Sequence, residues 1–562
     1  MKRISYICLI FSLLLCATSC EKVLDKKPLT QFTNDNFWSS EANVEMYANY
    51  FYNEWTGYGN GNGQGVFYYQ TLNDNQVGRE FATFTVNVPA TDGTWSSCYT
   101  EIRRANIMIE KVPTIESMND KAKAHWIGVA RLYRAWQHFC LVRKFGDCII
   151  VDKNLNVTDE DKEAYLYAPR NNRNDVMDFI LEDLNFAVAN INKNADSRVA
   201  YNAAVAQAIK SRICLFEGTY AKYHQNDNER AKKYLTESKT ASEAIMGNSM
   251  YSLNKSYRAN YNSADLAGNQ EMIMYKKYIK SLLGHSLISY ICSSTQIHGL
   301  SKSAFDAYLF TDGLPKATTT LNNTDHGVVG ADGRIDIQNL LDVRDPRLAA
   351  SIDSVLLYNG NSYIRYDEGM ASTSSSGYGV LKFDNPEFPA AERNSSGNSN
   401  HTDAPIFWLA EIYLNYAEAC AELGSCGETE LNKSINLLRA RAGMPNLSAT
   451  PAADPANNMG VSDLIWEIRR ERRVELMFDL EDRYWSLIRW KQLDKLDNGK
   501  YPDQTKGAWI GNTKATQVKV DENGYIDGSF DMKRTFDNKY YLQPIPSGQI
   551  DLNENLGQNP GW

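Results

Sequence analysis

The sequence predicts a mainly α protein, a scaffold of helical hairpins carrying a loop-rich insertion. Three observations lead there. Apolar residues recur at helical spacing in paired stretches, Gly and Pro stand where those stretches stop, and long segments rich in Ser, Gly and Asn separate them.

The chain opens with Lys2 and Arg3, an apolar run from Ile4 to Ala17, and then Thr18, Ser19 and Cys20. A positive start, an apolar stretch too short to cross a bilayer and small residues beside a cleavage point make residues 1–19 an export signal. Ala17 and Ser19 suit a cut before Cys20, which becomes the first residue of the mature chain. A cysteine there resembles the lipobox of bacterial lipoproteins, with Ala17 where that motif prefers Leu. The resemblance implies lipidation of Cys20. Two or three acyl chains, at about 0.8 kcal/mol per buried methylene, hold a protein on a membrane where one chain holds it only marginally.

Downstream, 95–112 with 119–144 make a first candidate hairpin, and 171–193 leads into the next. There Ala204, Val205, Ala208, Ile209, Leu215 and Phe216 share one helix face; Ala231, Tyr234, Leu235, Ala241 and Ile245 share another, ending at Gly247. Leu409, Ile412, Tyr413, Tyr416, Ala417, Cys420 and Leu423 line a further face, stopped by Gly424. Thr429 is placed to cap a following helix bearing Leu431, Ile435, Leu438 and Ala442 and ended by Gly443 and Pro445. Small faces alternating with Tyr and Leu at this hairpin length resemble tetratricopeptide repeats, which bury a continuous core by stacking. Residues 57–65 (GYGNGNGQG), 314–335 and 371–403 read as loops, the places where a rigid scaffold carries its binding surface.

The formal charge is −9 over 562 residues, and losing Lys2 and Arg3 with the signal leaves −11; with no long basic block, nucleic acid is not an expected partner. Seven cysteines beyond Cys20 are too few, and odd in number, for a disulfide framework, although Cys420 with Cys426 or Cys140 with Cys148 could pair. No phosphate-loop, dinucleotide, zinc-protease or nucleophile-elbow motif is present, so no cofactor or metal is expected, and no facing pair of catalytic carboxylates is displayed. In RRERRVELMFDLEDRYWSLIRW, residues 469–490, Glu467, Glu471, Glu475, Glu481 and Asp482 interleave with the arginines at three- and four-residue spacing, which favours ion pairs along helix surfaces.

Several segments together resemble the SusD/RagB family of outer-membrane nutrient-binding lipoproteins. They are Cys20 with Leu24, Asp25 and Pro28; RLYRAWQHFCLVRKFGDCIIV (131–151); YAPRNNRNDVMDFILEDLNFAV; WLAEIYLNYAEACAELG (408–424); INLLRARAG (435–443); ERRVELMFDLEDRYWSLIRW; and the ending YLQPIPSGQIDLNENLGQNPGW. Trp408, Ser486 and Trp562 depart from the pattern at scaffold positions. The resemblance implies one SusD-like domain over 20–562: a helical half at about 30–250 with binding loops at 57–95, an insertion at about 251–405, and C-terminal helices and tail motifs at 406–562. It also implies anchorage on the outer face of the outer membrane, where the chain would deliver glycans, or peptides in the RagB branch, to a SusC-like TonB-dependent transporter without catalysis.

A sugar needs flat aromatic platforms for its C–H faces and amides, carboxylates or Arg for its hydroxyls. YYQTLNDNQVGREFATF (68–84) followed by Trp95 offers both, and family sites fall in a comparable region. Asp74, Gln76 and Arg79 are therefore expected as hydroxyl partners and Trp95 as a platform, with Tyr69, Tyr290 and His298 as further candidates. Oligopeptide binding on the same fold is the runner-up, favoured by charged clamps and apolar pockets; a tethered glycoside hydrolase is the third possibility.

Overall fold

A computed structural model describes residues 37–562 except 62–64, 69–71, 79, 157, 161, 193–197, 293–297, 359–361, 366–367, 372–373, 394–398 and 481. The protein is mainly α. Its helices are α1 (Glu41–Ala48), α2 (Gly93–Lys111), α3 (Asp120–Phe145), α4 (Arg173–Asn190), α5 (Ala203–Tyr220), α6 (Asn228–Met246), α7 (Lys302–Ala307), α8 (Leu409–Glu422), α9 (Ile435–Ala442), α10 (Asp463–Glu475) and α11 (Asp482–Arg489), with shorter turns between. Each of α2 to α5 packs against the next, α5 packs on α6, α6 on α8, and α8 on α10. One hydrophobic core runs through them, from Val44 to Leu556.

Local chemistry sets the helix starts. The Asp92, Asn119, Asn202, Asp227 and Ser462 side chains each accept a backbone N–H of the first turn, replacing bonds that the helix itself cannot make. Lys144 Nζ, in the last turn of α3, lies 2.9 Å from Asp92 Oδ2 and so ties the two ends of the α2–α3 hairpin. Gly218 lets α5 and α6 approach closely, since a Cβ there would sit 2.7 Å from Leu235 Cγ. Ser211 and Ser242 hydroxyls meet at 2.8 Å, and Asn415 donates to Ser211, so a buried polar contact joins α5, α6 and α8.

Gly424 and Gly443 take left-handed φ values of 71° and 72° at the ends of α8 and α9, as their positions in the sequence lead one to expect. The helix expected from Thr429 is divided. A short turn, Glu428–Asn432, starts from Gly427, whose N–H reaches Glu430 Oε2 at 2.9 Å, and the chain breaks at Ser434 (φ −140°, ψ −93°) before α9 begins. The seven cysteines among the described residues are free thiols, so neither candidate pairing is formed.

The strands are β1 (Gln76–Gly78), β2 (Met272–Lys276), β3 (His298–Leu300), β4 (Ala404–Trp408), β5 (Lys506–Trp509) and β6 (Tyr525–Asp527), together with two short hairpins within the insertion. Antiparallel pairing of β2 with β4 sets Met272 opposite Trp408 and Lys276 opposite Ala404, directly before α8. The excursion between β2 and β4 thus begins and ends at one two-stranded ribbon. No helix of the described residues is long and apolar enough to cross a membrane.

Candidate functional site

Antiparallel β1 and β3 set Gln76 opposite Leu300 and Gly78 opposite His298, bringing together residues that lie more than two hundred positions apart in the chain. The turn before β1 is fastened from the other side: Ser301 N–H donates to Asn75 O at 2.9 Å and Ser301 Oγ to Asp74 O at 2.6 Å. Three of the residues singled out from the sequence, Asp74, Gln76 and His298, therefore share one ribbon. They are buried in it. Gln76 donates its side-chain amide to Tyr68 O, and the His298 ring packs edge-on to Tyr68 at 5.8 Å. Burial pushes the His298 imidazole down to about 4, so it is neutral at physiological pH.

Trp95 occupies the first turn of α2, 4% exposed, with its ring against Tyr99 and Phe145 at 5.3 and 5.2 Å. A ring covered in this way has no open face for a sugar, so Trp95 is a core residue and not a platform. Tyr290 lies half-buried on the turn Leu287–Ile291, packed on the core. Tyr69, Arg79 and Cys20 lie outside the described residues.

Asp74 faces a cleft of about 440 Å³. Its walls are α7, α10 and the segment 495–504, with the loop around Asn458 closing one side. Two half-buried rings line it, each with a cation over one face, Lys495 Nζ 4.4 Å from the Tyr501 centroid and the Arg470 guanidinium 5.5 Å from that of Trp466. Trp466 is fixed by its indole N–H on Asp454 Oδ2 at 3.1 Å, and the Tyr501 hydroxyl takes a 2.7 Å bond from Lys495 Nζ. Ser303, Asn458, Asp503 and Gln504 add hydrogen-bonding groups around them.

Arginines from the 469–490 stretch form the floor. Arg483 clasps Asp74 through two bonds of 2.7 and 2.6 Å; Arg473 lies 3.3 Å from the same carboxylate and also donates to Asn75 Oδ1, Asp74 O and Ser303 Oγ. Burial raises the Asp74 carboxyl, but Arg473 and Arg483 outweigh it and hold the group well below the ordinary carboxylate range. Burial draws the Arg473 guanidinium down to about 9, which leaves it charged at neutral pH. Arg469 pairs with Glu422 at 3.1 Å, and Arg470 pairs with Asp454 and Glu467.

Of the ion pairs expected along the helix surface in this stretch, only Arg470–Glu467 forms among the described residues, and it is buried; the other pairs reach across the fold, because these side chains face the core and not solvent. Asp74 is accordingly a buried counter-ion to two guanidiniums rather than a carboxylate open to a ligand hydroxyl. Trp466, Tyr501, Arg473, Arg483 and Gln504 were not singled out from the sequence. RRERRVELMFDLEDR carries five arginines and five acids, so its composition gave no sign that Arg473 and Arg483 would take the distant Asp74 as their partner. Among the described residues no group of three or more His, Cys, Asp or Glu could hold a metal ion.

The SusD family model matches residues 242–562, and a second model, described as starch-binding associating with outer membrane, matches 21–215. A SusD-like protein of Bacteroides ovatus is 25% identical over 569 residues, covering 94% of this chain and 90% of its own. A SusD-like carbohydrate binding protein of Bacteroides fragilis has the same fold, with a TM-score of 0.70 at 22% identity, covering 93% of this chain and 100% of its own. A further structure, described as solved with xylogluco-oligosaccharide, superposes with a TM-score of 0.62 at 20% identity over 92% of this chain and 98% of its own. The two models between them take in most of the chain, the first alone more than half of it, and the chain belongs to the SusD family.

Proposed function

We propose that the protein is a glycan-binding lipoprotein, held on the outer face of the outer membrane by acyl chains on Cys20, that captures oligo- or polysaccharide and hands it to a SusC-like TonB-dependent transporter. The observation that carries the binding step is the cleft itself, where the rings of Trp466 and Tyr501 stand beside amide, hydroxyl and charged groups in about 440 Å³. Rings take the apolar faces of sugars and the polar groups take their hydroxyls. The resemblance of known family members to carbohydrate-binding proteins supports the same reading. A leader ending at a lipobox-like cysteine supports the anchor.

No catalytic step is part of this function. Asp306 and Asp503, acids of the cleft, both bond Lys302 Nζ, at 2.6 and 3.1 Å, and serve as its counter-ions. The number of cationic side chains along the cleft favours a second reading, in which the same surface takes acidic oligopeptides. Isothermal titration against host, plant and microbial oligosaccharides tests the function. Glycan binding without product, weakened by at least about 1 kcal/mol in Trp466→Ala, is expected. Turnover would replace this function with hydrolysis, and binding confined to peptides would replace it with the second reading.

A further inference from the structure

We infer that the glycan taken by this cleft is acidic, a uronate- or sulfate-bearing oligosaccharide seated with its anion between Gln504 and the arginines around Asp74. The inference rests on the glycan-binding reading and narrows its substrate class.

Charge balance is the first observation. Most charges around the cleft are matched by near neighbours: Arg469 by Glu422, Arg470 by Asp454 and Glu467, and Asp306, Asp325 and Asp503 by Lys302, Lys316 and Arg344. At one end the balance fails. Among the described residues Asp74 is the single carboxylate paired with Arg473 and Arg483, and Arg534, 4% exposed, also lies within its electrostatic reach while donating, among those residues, only to the neutral oxygens Ala82 O and Gln504 Oε1. Three guanidiniums against one carboxylate leave a surplus of two positive charges. Lys500, exposed on the rim, adds to it, and Lys495 is only partly offset by Asp494 at 3.8 Å.

Gln504 is the second, independent observation. It lines the cleft and is 2% exposed. Its Oε1 accepts from Arg534 Nη1 at 3.2 Å, which fixes the amide so that Nε2 is left as the donor, and that Nε2 has no acceptor among the described residues. A buried N–H without an acceptor is costly, and a carboxylate or sulfate oxygen satisfies it while neutralising the surplus charge. A neutral hydroxyl could do only the first. Trp466 and Tyr501 then provide for the sugar rings, which a peptide would not require.

The test is calorimetry of the full chain against matched probes: an oligogalacturonate and its methyl ester, a sulfated galactan oligosaccharide and its desulfated form, and an oligoglutamate peptide. Expected is binding of at least one acidic sugar about tenfold tighter than its neutral partner, with affinity falling as sodium chloride rises. The two pairs separate carboxylate from sulfate. Lys500→Glu, on an exposed residue, should weaken the acidic sugar several-fold more than the neutral one; Gln504→Leu should weaken both, the acidic one more. Equal binding of the acidic and neutral members overturns the inference and leaves the glycan reading standing, as would an unaltered affinity in both variants. Tighter binding of oligoglutamate than of any sugar overturns both.

Discussion

Asp74→Asn separates the two roles this residue could have. In the structure its carboxylate is the counter-ion of Arg483 at 2.6 Å and Arg473 at 3.3 Å, with side-chain exposures of 5%, 8% and 10%. Asn keeps the shape and removes the charge, so two nearly buried guanidiniums lose their partner while both remain. Breaking a buried pair from one side costs about 3–5 kcal/mol, because the charge left behind is uncompensated. Replacing Arg473 by Met in the Asn background should recover part of that loss, since one unmatched charge is then removed. The assay is guanidinium denaturation of the three proteins. It should be repeated in acid: Asp74 has a folded pKa below the unfolded value of 3.8, so its contribution is complete above that pH and lost as pH falls through the lower folded value. The gap between wild type and Asn should therefore close in that window. A loss under about 1 kcal/mol, the size of an exposed pair, with a large drop in glycan affinity would refute the reasoning and return Asp74 to the role of a hydroxyl partner.

Trp95→Ala should cost about 3–5 kcal/mol in the same denaturation assay, the range for truncating a buried Trp, with ligand affinity unchanged at temperatures where the variant is folded. Buried His138, His285 and His298 and half-buried His224 are held neutral, at about 3, 3, 4 and 4 against 6.5 unfolded, so the stability they allow is full above 6.5 and lost as pH falls toward 4. Asp403 and Asp479, raised to about 6 from 3.8, act in the opposite sense, their contribution being present below 3.8 and lost as pH rises through 6. The histidines outnumber them, so the denaturation midpoint should climb from pH 4.5 to 6.5, within the interval these values span; a flat or falling profile would contradict the buried placements. Gly65→Ala should destabilise by at least about 1 kcal/mol, since φ is +62° and the new Cβ would lie 1.8 Å from Gly57 O; an unchanged melting temperature would show that the turn is not formed this way.

The helices were legible because burying one face imposes a period that survives in a single sequence. Their ends were legible at Gly424 and Gly443, where a left-handed residue is required. Ser434 was not, since serine is tolerated inside a helix and its break depends on surroundings. Nor were β1 and β3: three residues show no usable alternation, and their partners lie beyond any local window. The site was harder still. Trp95 has the right side-chain type for a platform, but the local signal was Asp92 just before it, a cap that places Trp95 in the first turn of a packed helix. Asp74 was singled out for chemistry it could supply, while its charge was already committed to an arginine 409 residues away. Residue type reports what a side chain can do; only the fold reports what it is already doing.

Because β2 and β4 lie side by side, the excursion between them begins and ends one strand spacing apart, roughly 4.8 Å. The entropic cost of closing such a loop grows only with the logarithm of its length, about 0.6 kcal/mol for each doubling. Residues can thus be added at an exposed turn of the excursion such as 330–334 at little entropic cost, whereas its Arg347 and Lys382 make buried ion pairs with Glu471, Glu475 and Asp479 and fasten the rest of it to α10 and the turn that follows. The ribbon therefore acts as a clasp that holds both ends of a long excursion together while its outermost turns are free to vary in length.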